Sequence, residues 1–174
     1  MNAFLKTTLL LPFVAIVLLI AKAEHGRANG EIFRVPVAGF DPRDLVHGHY
    51  LTLQIDLDRL GGADFQSIAG DNVVCFQRTS EGLSVATGAK SEMENPSCTA
   101  RTRAAQLQGP KRYLIPEISA EALENLLRDE RVNAEVELIL QESGAVSLGM
   151  LHLDGLPWRE ALQKKGESKD SPSP

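Results

Sequence analysis

The sequence predicts an α+β protein: mainly an antiparallel β-sheet or partial β-barrel with one short helix, preceded by one N-terminal apolar helix. Three observations carry that reading. Apolar and polar residues alternate over 50–57, 134–140 and 146–153. Helical spacing marks one stretch beyond the N-terminal segment, near 119–131, and neither a strand–helix–strand rhythm nor an internal repeat is present. The 174 residues, with 43% hydrophobic, 24% charged and 5% aromatic side chains, exclude a disordered, collagenous or disulfide-dense chain. Lys+Arg is 18 and Asp+Glu 23; the first 22 residues hold Lys6 and Lys22 and no acid, so the remainder is distinctly acidic and nucleic acid is not an expected partner.

The chain opens on fifteen uncharged residues between Lys6 and Lys22, Thr7 to Ala21, apolar on every helical face from Leu9 to Ile20. As a helix they span about 22 Å, short of the roughly 30 Å hydrocarbon core, with Met1 to Leu5 and the Lys22 stem available to extend the reach. Residues 1–23 therefore read as a membrane anchor or, through the Ala21-Lys22-Ala23 pattern, as a signal peptide cleaved near Ala23. Either one exports the rest of the chain. The small polar stretch 24–30 reads as a linker, and the exported domain as 31–162.

Glu31 to Val37 alternates in part, and Pro36 places the end of that strand at an edge or bulge. Asp41-Pro42-Arg43-Asp44 favours a turn. From Tyr50 to Leu57 the alternation is strict: Leu51, Leu53, Ile55 and Leu57 share the core face, and Tyr50, Thr52, Gln54 and Asp56 the wet one. Val73–Gln77 and Leu83–Ala86 form a hairpin across 79–82, and Thr99–Leu107 is a strand with basic residues on its exposed face. After the Gly109-Pro110 turn and Arg112–Ile115, Ser119 is a candidate N-cap for a helix with the stripe Ala122, Leu123, Leu126 and Leu127. Ala134–Leu140 and Val146–Leu153 close the domain as an antiparallel hairpin, and 163–174, lacking apolar side chains, reads as a disordered tail.

Three segments stand out in this order: Asp41-Pro42-Arg43-Asp44, Gly48-His49-Tyr50-Leu51-Thr52-Leu53-Gln54-Ile55, and Tyr113-Leu114-Ile115-Pro116-Glu117, followed by a hairpin ending Leu151-His152-Leu153-Asp154-Gly155. Together they resemble the GDYXXLXY-motif protein family, bacterial proteins with one N-terminal apolar segment and a β-rich exported domain. The resemblance implies a fold and a compartment and names no reaction. Gly48, Tyr50 and Leu53 are retained, whereas His49 stands where the family has aspartate and Ile55 where it has the second tyrosine. A role that needs a carboxylate at position 49 does not carry over to this chain.

The candidate binding residues are Asp41, Arg43, Asp44, Gly48, Tyr50, Tyr113 and Glu117, a polar set that either lines a groove for a ligand or peptide or serves turns, caps and salt bridges. His47 and His49, two apart, would share a strand face and are weak candidates for a metal such as zinc or copper, with His25 or His152 as a third ligand. No metal or other cofactor is expected. Cys75 and Cys98, the two cysteines, are compatible with a disulfide and with two buried thiols. No G-x-S-x-G, H-E-x-x-H, Walker A or C-x-x-C is present, so no catalytic residue is assigned.

The expected function is that of a non-catalytic accessory or binding module of the bacterial cell envelope, anchored through residues 7–21 with its domain on the periplasmic side, and acting on a membrane or envelope protein. Contact would run through the wet face of 50–57 and the loops at 41–48 and 113–117, by strand addition or clamping. The alternatives are a periplasmic hydrolase of the Ser/Lys peptidase kind, with Ser84, Ser91 and Lys90 as the residues to watch, and a structural envelope-assembly protein.

Overall fold

The computed structural model describes residues 2–38, 50–60, 65, 68–80, 82–89, 98–129 and 131–169. Helix α1 (Asn2–Ala28) precedes strands β1 (Glu31–Ala38) and β2 (Tyr50–Ile55), with a 3-10 turn at Asp58–Leu60. Then come β3 (Val73–Thr79), β4 (Gly82–Gly88), β5 (Ala100–Arg103), the single-turn α2 (Ala104–Leu107), β6 (Lys111–Leu114) and α3 (Glu117–Leu127). The chain ends on β7 (Ala134–Leu140), β8 (Val146–Leu153), the two-residue β9 (Leu156–Pro157) and α4 (Trp158–Lys169). All pairings are antiparallel, in a six-stranded sheet of order β6-β2-β1-β7-β8-β9 and a three-stranded sheet of order β4-β3-β5. This is the α+β, mainly antiparallel fold that the alternation predicts, with the larger sheet curled into a half-barrel.

The core forms where the alternating faces meet. Leu51, Leu53, Ile55 and Leu57 of the second strand's run are all buried, as are Val136, Leu138 and Leu140 of β7 and Leu151 and Leu153 of β8. Val74, Phe76 and Val85 bring the smaller sheet into the same cluster, and the Phe33 and Phe76 rings meet with centroids 5.1 Å apart. Arg78 ties the sheets at their rim: its Nη2 donates to the Ile32 carbonyl at 2.8 Å, and its guanidinium lies 5.3 Å from the centre of the Phe33 ring. Cys75 on β3 and Cys98 just before β5 are joined by a disulfide, their Cα atoms 5.6 Å apart.

Several local expectations are corrected. β1 is an interior strand; Pro36 sits where its pairing passes from β7, through Pro36 and Glu135, to β2, starting at Val37 and Ile55. The proline carbonyl still accepts from Asp56 N at 2.9 Å, so the ring costs little at this changeover. The strand read over 99–107 ends at Arg103, because Ala104 N and Ala105 N turn to donate to the carbonyls of Asn72 and Gly70 and start α2. α3 starts at Glu117 with Pro116 at its N-cap, two residues before Ser119. Its Leu123, Leu126 and Leu127 are buried, whereas Ala122 is exposed.

Helices also occupy stretches read as a linker and a tail. α1 runs on through Ala28, its end closed by Asn29, whose backbone N–H and Nδ2 both donate to the His25 carbonyl. α4 runs to Lys169, anchored by a Trp158 that is 4% exposed and packed onto β8 and β9. A sequence count of apolar residues misses such a helix when its apolar contacts, here Trp158, Ala161 and Leu162, all lie in its first turns. Four helices therefore stand among the described residues instead of an apolar helix and one other.

Around α1, the large apolar side chains from Leu10 to Ile20 are between 48% and 69% exposed and face outward on all sides. Among the described residues no helix is long and apolar enough to cross a membrane. At its other end α1 is held close to the turn between β7 and β8, since a Cβ on Gly26 would come within 2.6 Å of Gln141 Oε1.

The disulfide closes 23 residues of sequence separation, for which loop entropy gives about 3 kcal/mol. Unfolding by denaturant with and without reductant should differ by about that amount, and the Cys75→Ser, Cys98→Ser variant should match the reduced protein. Equal midpoints in both conditions would show that the bridge adds nothing.

Candidate functional site

Between β7 and β8 the register slips, with Val136 opposite Leu151 and Leu138 opposite Leu148, so β8 carries the extra residue of a β-bulge across from Glu137. Glu137 fills that irregularity. Its Oε2 accepts from Met150 N at 3.1 Å, its Oε1 lies 2.9 Å from His152 Nε2, and Arg34 Nε stands 3.8 Å away. Gly149 is what lets the carboxylate in, because a Cβ there would sit 2.9 Å from the Glu137 Cβ and 3.0 Å from Oε2.

His152 is 3% exposed, and its Nδ1 is buried without a hydrogen-bond partner among the described residues. Nε2 donates to the facing carboxylate, and Nδ1 points inward. An acid–imidazole pair is a familiar proton-transfer device, but this one is closed to solvent on the imidazole side and holds the bulge in shape. Burial works against the charge on Glu137. The His152 and Met150 hydrogen bonds and the charges of His152 and Arg34 outweigh it, and hold the carboxyl below its ordinary range.

The next residue along β8 is held from across the sheet. The Tyr113 hydroxyl on β6 accepts from Leu151 N at 3.2 Å. Tyr113 is opposite Leu51 in the β2–β6 register, so it points to the core side with Leu51, while Tyr50, opposite Leu114, takes the outer face. There the Arg112 guanidinium lies 5.0 Å from the centre of the Tyr50 ring.

Of the residues singled out in the sequence, Tyr50, Tyr113 and Glu117 are described, and the structure puts the two tyrosines on opposite faces. Glu117 is the exposed first residue of α3, where a negative charge meets the positive end of the helix dipole. Asp41, Arg43, Asp44, Gly48 and the histidines His47 and His49 lie outside the described residues, as do Lys90 and Ser91. Ser84 Oγ donates to the Gln77 carbonyl across the β3–β4 hairpin at 3.5 Å. His25 lies on α1 and His152 is engaged by Glu137; among the described residues no group of His, Cys, Asp or Glu is placed to hold a metal. Glu137 is the member of the site that sequence reasoning missed. Its position in an alternating strand marks it as outward, which it is, and the bulge, visible beforehand as Gly149 inside a strand, makes this half-buried carboxylate a hydrogen-bond acceptor for β8.

The Asp154-Gly155 pair also takes on a physical role. Both have positive φ, 50° and 79°, turning β8 into β9, while Asp154 Oδ1 accepts from Asn133 N at 2.9 Å.

A curled antiparallel sheet latched by a tyrosine, backed by a small disulfide-braced sheet and preceded by an apolar helix, defines the class as an α+β half-barrel module. The model of the GDYXXLXY protein family matches residues 12–151, most of the chain, and the protein belongs to that family. No curated protein and no solved structure matches the chain.

Two outcomes follow from the bulge. A carboxyl whose pKa is depressed on folding stabilises the fold above its unfolded value near 4.5 and loses that contribution as the pH falls through and below it. Glu137→Gln should therefore cost about 1–3 kcal/mol at neutral pH and flatten the acid limb of stability against pH, read by denaturant unfolding between pH 7 and about pH 3. An unchanged acid limb would place the titrating group elsewhere. Tyr113→Phe should cost about 1 kcal/mol by the same measurement, since it strips one hydrogen bond and keeps the ring.

Proposed function

We propose that this protein is a non-catalytic accessory or binding module of the bacterial cell envelope, exported and held at the outer face of the cytoplasmic membrane by α1, where it contacts a membrane or envelope protein. The observation that carries this reading is the exposed apolar surface of α1 from Leu10 to Ile20, present on every side of a helix whose far end is fitted to the folded domain at Gly26. In water that circumference has nothing to cover it, and lipid supplies the cover. The uncharged run is short for a full span, a mismatch that local bilayer thinning and the snorkelling stem of Lys22 accommodate. The Cys75–Cys98 disulfide agrees with export, because such bridges persist outside the cytosol.

Partner contact is assigned to the outer face of β2 and β6 and to the segment 113–117. Leu114 and Ile118, 80% and 93% exposed, stand beside Tyr50 and Glu117 on this part of the surface. Such apolar side chains at a rim of polar ones suit a protein interface better than a substrate pocket.

Expression of the full chain with a C-terminal tag, followed by membrane fractionation and mass spectrometry of the mature N-terminus, tests the anchor. Met1 retained in the membrane fraction is the expected result. A soluble chain beginning near Glu24 would overturn the anchor and favour a free periplasmic protein. Leu114→Lys with Ile118→Lys should leave stability within about 0.5 kcal/mol of the parent while abolishing crosslinks formed from this face to a membrane protein; retained crosslinks would move the interface elsewhere.

A further inference from the structure

The turn between β7 and β8 stands between two other parts of the fold. Glu142 and Ser143 line the gap beneath α1 together with Lys22 and Gln141, and the same two residues line a separate cleft of about 500 Å³ bounded by β5. β5 is an end strand of the smaller sheet. Its alternation sends Thr102 inward, with Oγ1 donating to the Gly144 carbonyl at 2.6 Å, and leaves Arg101 and Arg103 exposed on one face, both lining the cleft.

Asp71 and Glu142 line that cleft as well, yet among the described residues no salt bridge joins either guanidinium to either carboxylate. Two cations and two anions therefore share one concavity with no direct ion pair between them. Two guanidiniums on one strand face, neither in a direct ion pair, favour an anion, and their planar forks match phosphate oxygens. The carboxylates, likewise outside any direct ion pair, favour a cation close by. A ligand with both charges a short distance apart answers both demands, and the volume is in the range of small-molecule sites.

We propose that this cleft binds a zwitterionic phosphate ester of the phosphoethanolamine kind, with its phosphate on Arg101 and Arg103 and its ammonium toward Asp71 and Glu142. A phospholipid headgroup and a soluble glycerophosphodiester share this chemistry. The shared turn beneath α1 brings the cleft to the membrane side of the domain and favours the headgroup. That choice of source rests on the membrane reading of α1; the site does not.

The test titrates the full chain in a non-ionic detergent with glycerophosphoethanolamine and reads binding by calorimetry. Saturable binding is expected, weakened at least tenfold in the Arg101→Gln, Arg103→Gln variant, whose melting curve should match the parent because both side chains are exposed. Glu142→Gln should weaken glycerophosphoethanolamine and leave glycerol phosphate unchanged. Absent binding by the parent, or equal binding by the double variant, would overturn the site. In a second arm, an arginine-dependent preference for phosphatidylethanolamine over phosphatidylcholine vesicles assigns the lipid as the source. Soluble-ester binding without that preference upholds the site, assigns it to a free ester, and overturns the lipid source alone.

Discussion

The curl of the larger sheet depends on one contact between β6, at its edge, and β8, next to the opposite edge. β6 and β8 are four strand spacings apart in the order β6-β2-β1-β7-β8, about 19 Å if the sheet lay flat, well beyond the reach of a single tyrosine. Tyr113 on β6 nevertheless accepts a hydrogen bond from the Leu151 backbone on β8. The sheet must curl for that to happen, and the curl turns one face of five strands into a concave wall around Leu53, Ile55, Val136, Leu138 and Leu151, all nearly inaccessible. The hydrogen bond is modest by itself; its leverage comes from fixing strands distant in sequence order.

The bulge on β8 is the other half of this closure. Twist increases where a strand carries an extra residue, and the freed backbone N–H groups need acceptors. Met150 and Leu151 find theirs in successive side-chain oxygens, Glu137 from the adjoining strand and Tyr113 from the opposite end of the sheet. One groups with Arg34 and His152 on the outer face, the other with the core, so the bulged segment is gripped from both sides. Gly149 and the Asp154-Gly155 turn bracket the same segment, and both are positions where a larger or differently shaped residue would meet steric or conformational resistance.

Most of this framework was legible in the sequence because strands buried on one face write their pattern with period two. The run from Tyr50 to Leu57 and the two hairpins read correctly for that reason. Tyr113 was legible as unusual through its motif, but its task depends on a partner nearly forty residues away across a curled sheet, and no local pattern encodes curvature. Glu137 was hidden by the same alternation that revealed its strand: period two marks it correctly as outward, and gives no sign that a bulge opposite will supply it with a backbone donor. Pro36 misled because its ring suggests an edge, whereas a strand that changes partner midway has a place for it inside a sheet. α4 escaped because one buried residue, Trp158, with Ala161 and Leu162 packed beside it, does the anchoring that several leucines do in α3.

The functional reading joins the two ends of the molecule. α1 has an exposed apolar surface, the β7–β8 turn beneath it borders the cleft with Arg101 and Arg103, and the outer face near Leu114 and Ile118 is the proposed protein interface. A rigid half-barrel is what holds these three surfaces at fixed positions relative to one another, so the closure of the sheet is the claim on which the rest stands. Amide hydrogen exchange at Leu151, followed by nuclear magnetic resonance in the unmodified protein, reads that closure directly. Protection comparable to that of the β1 and β7 amides is the predicted result; exchange as fast as that of an open strand edge would mean that β6 and β8 do not meet.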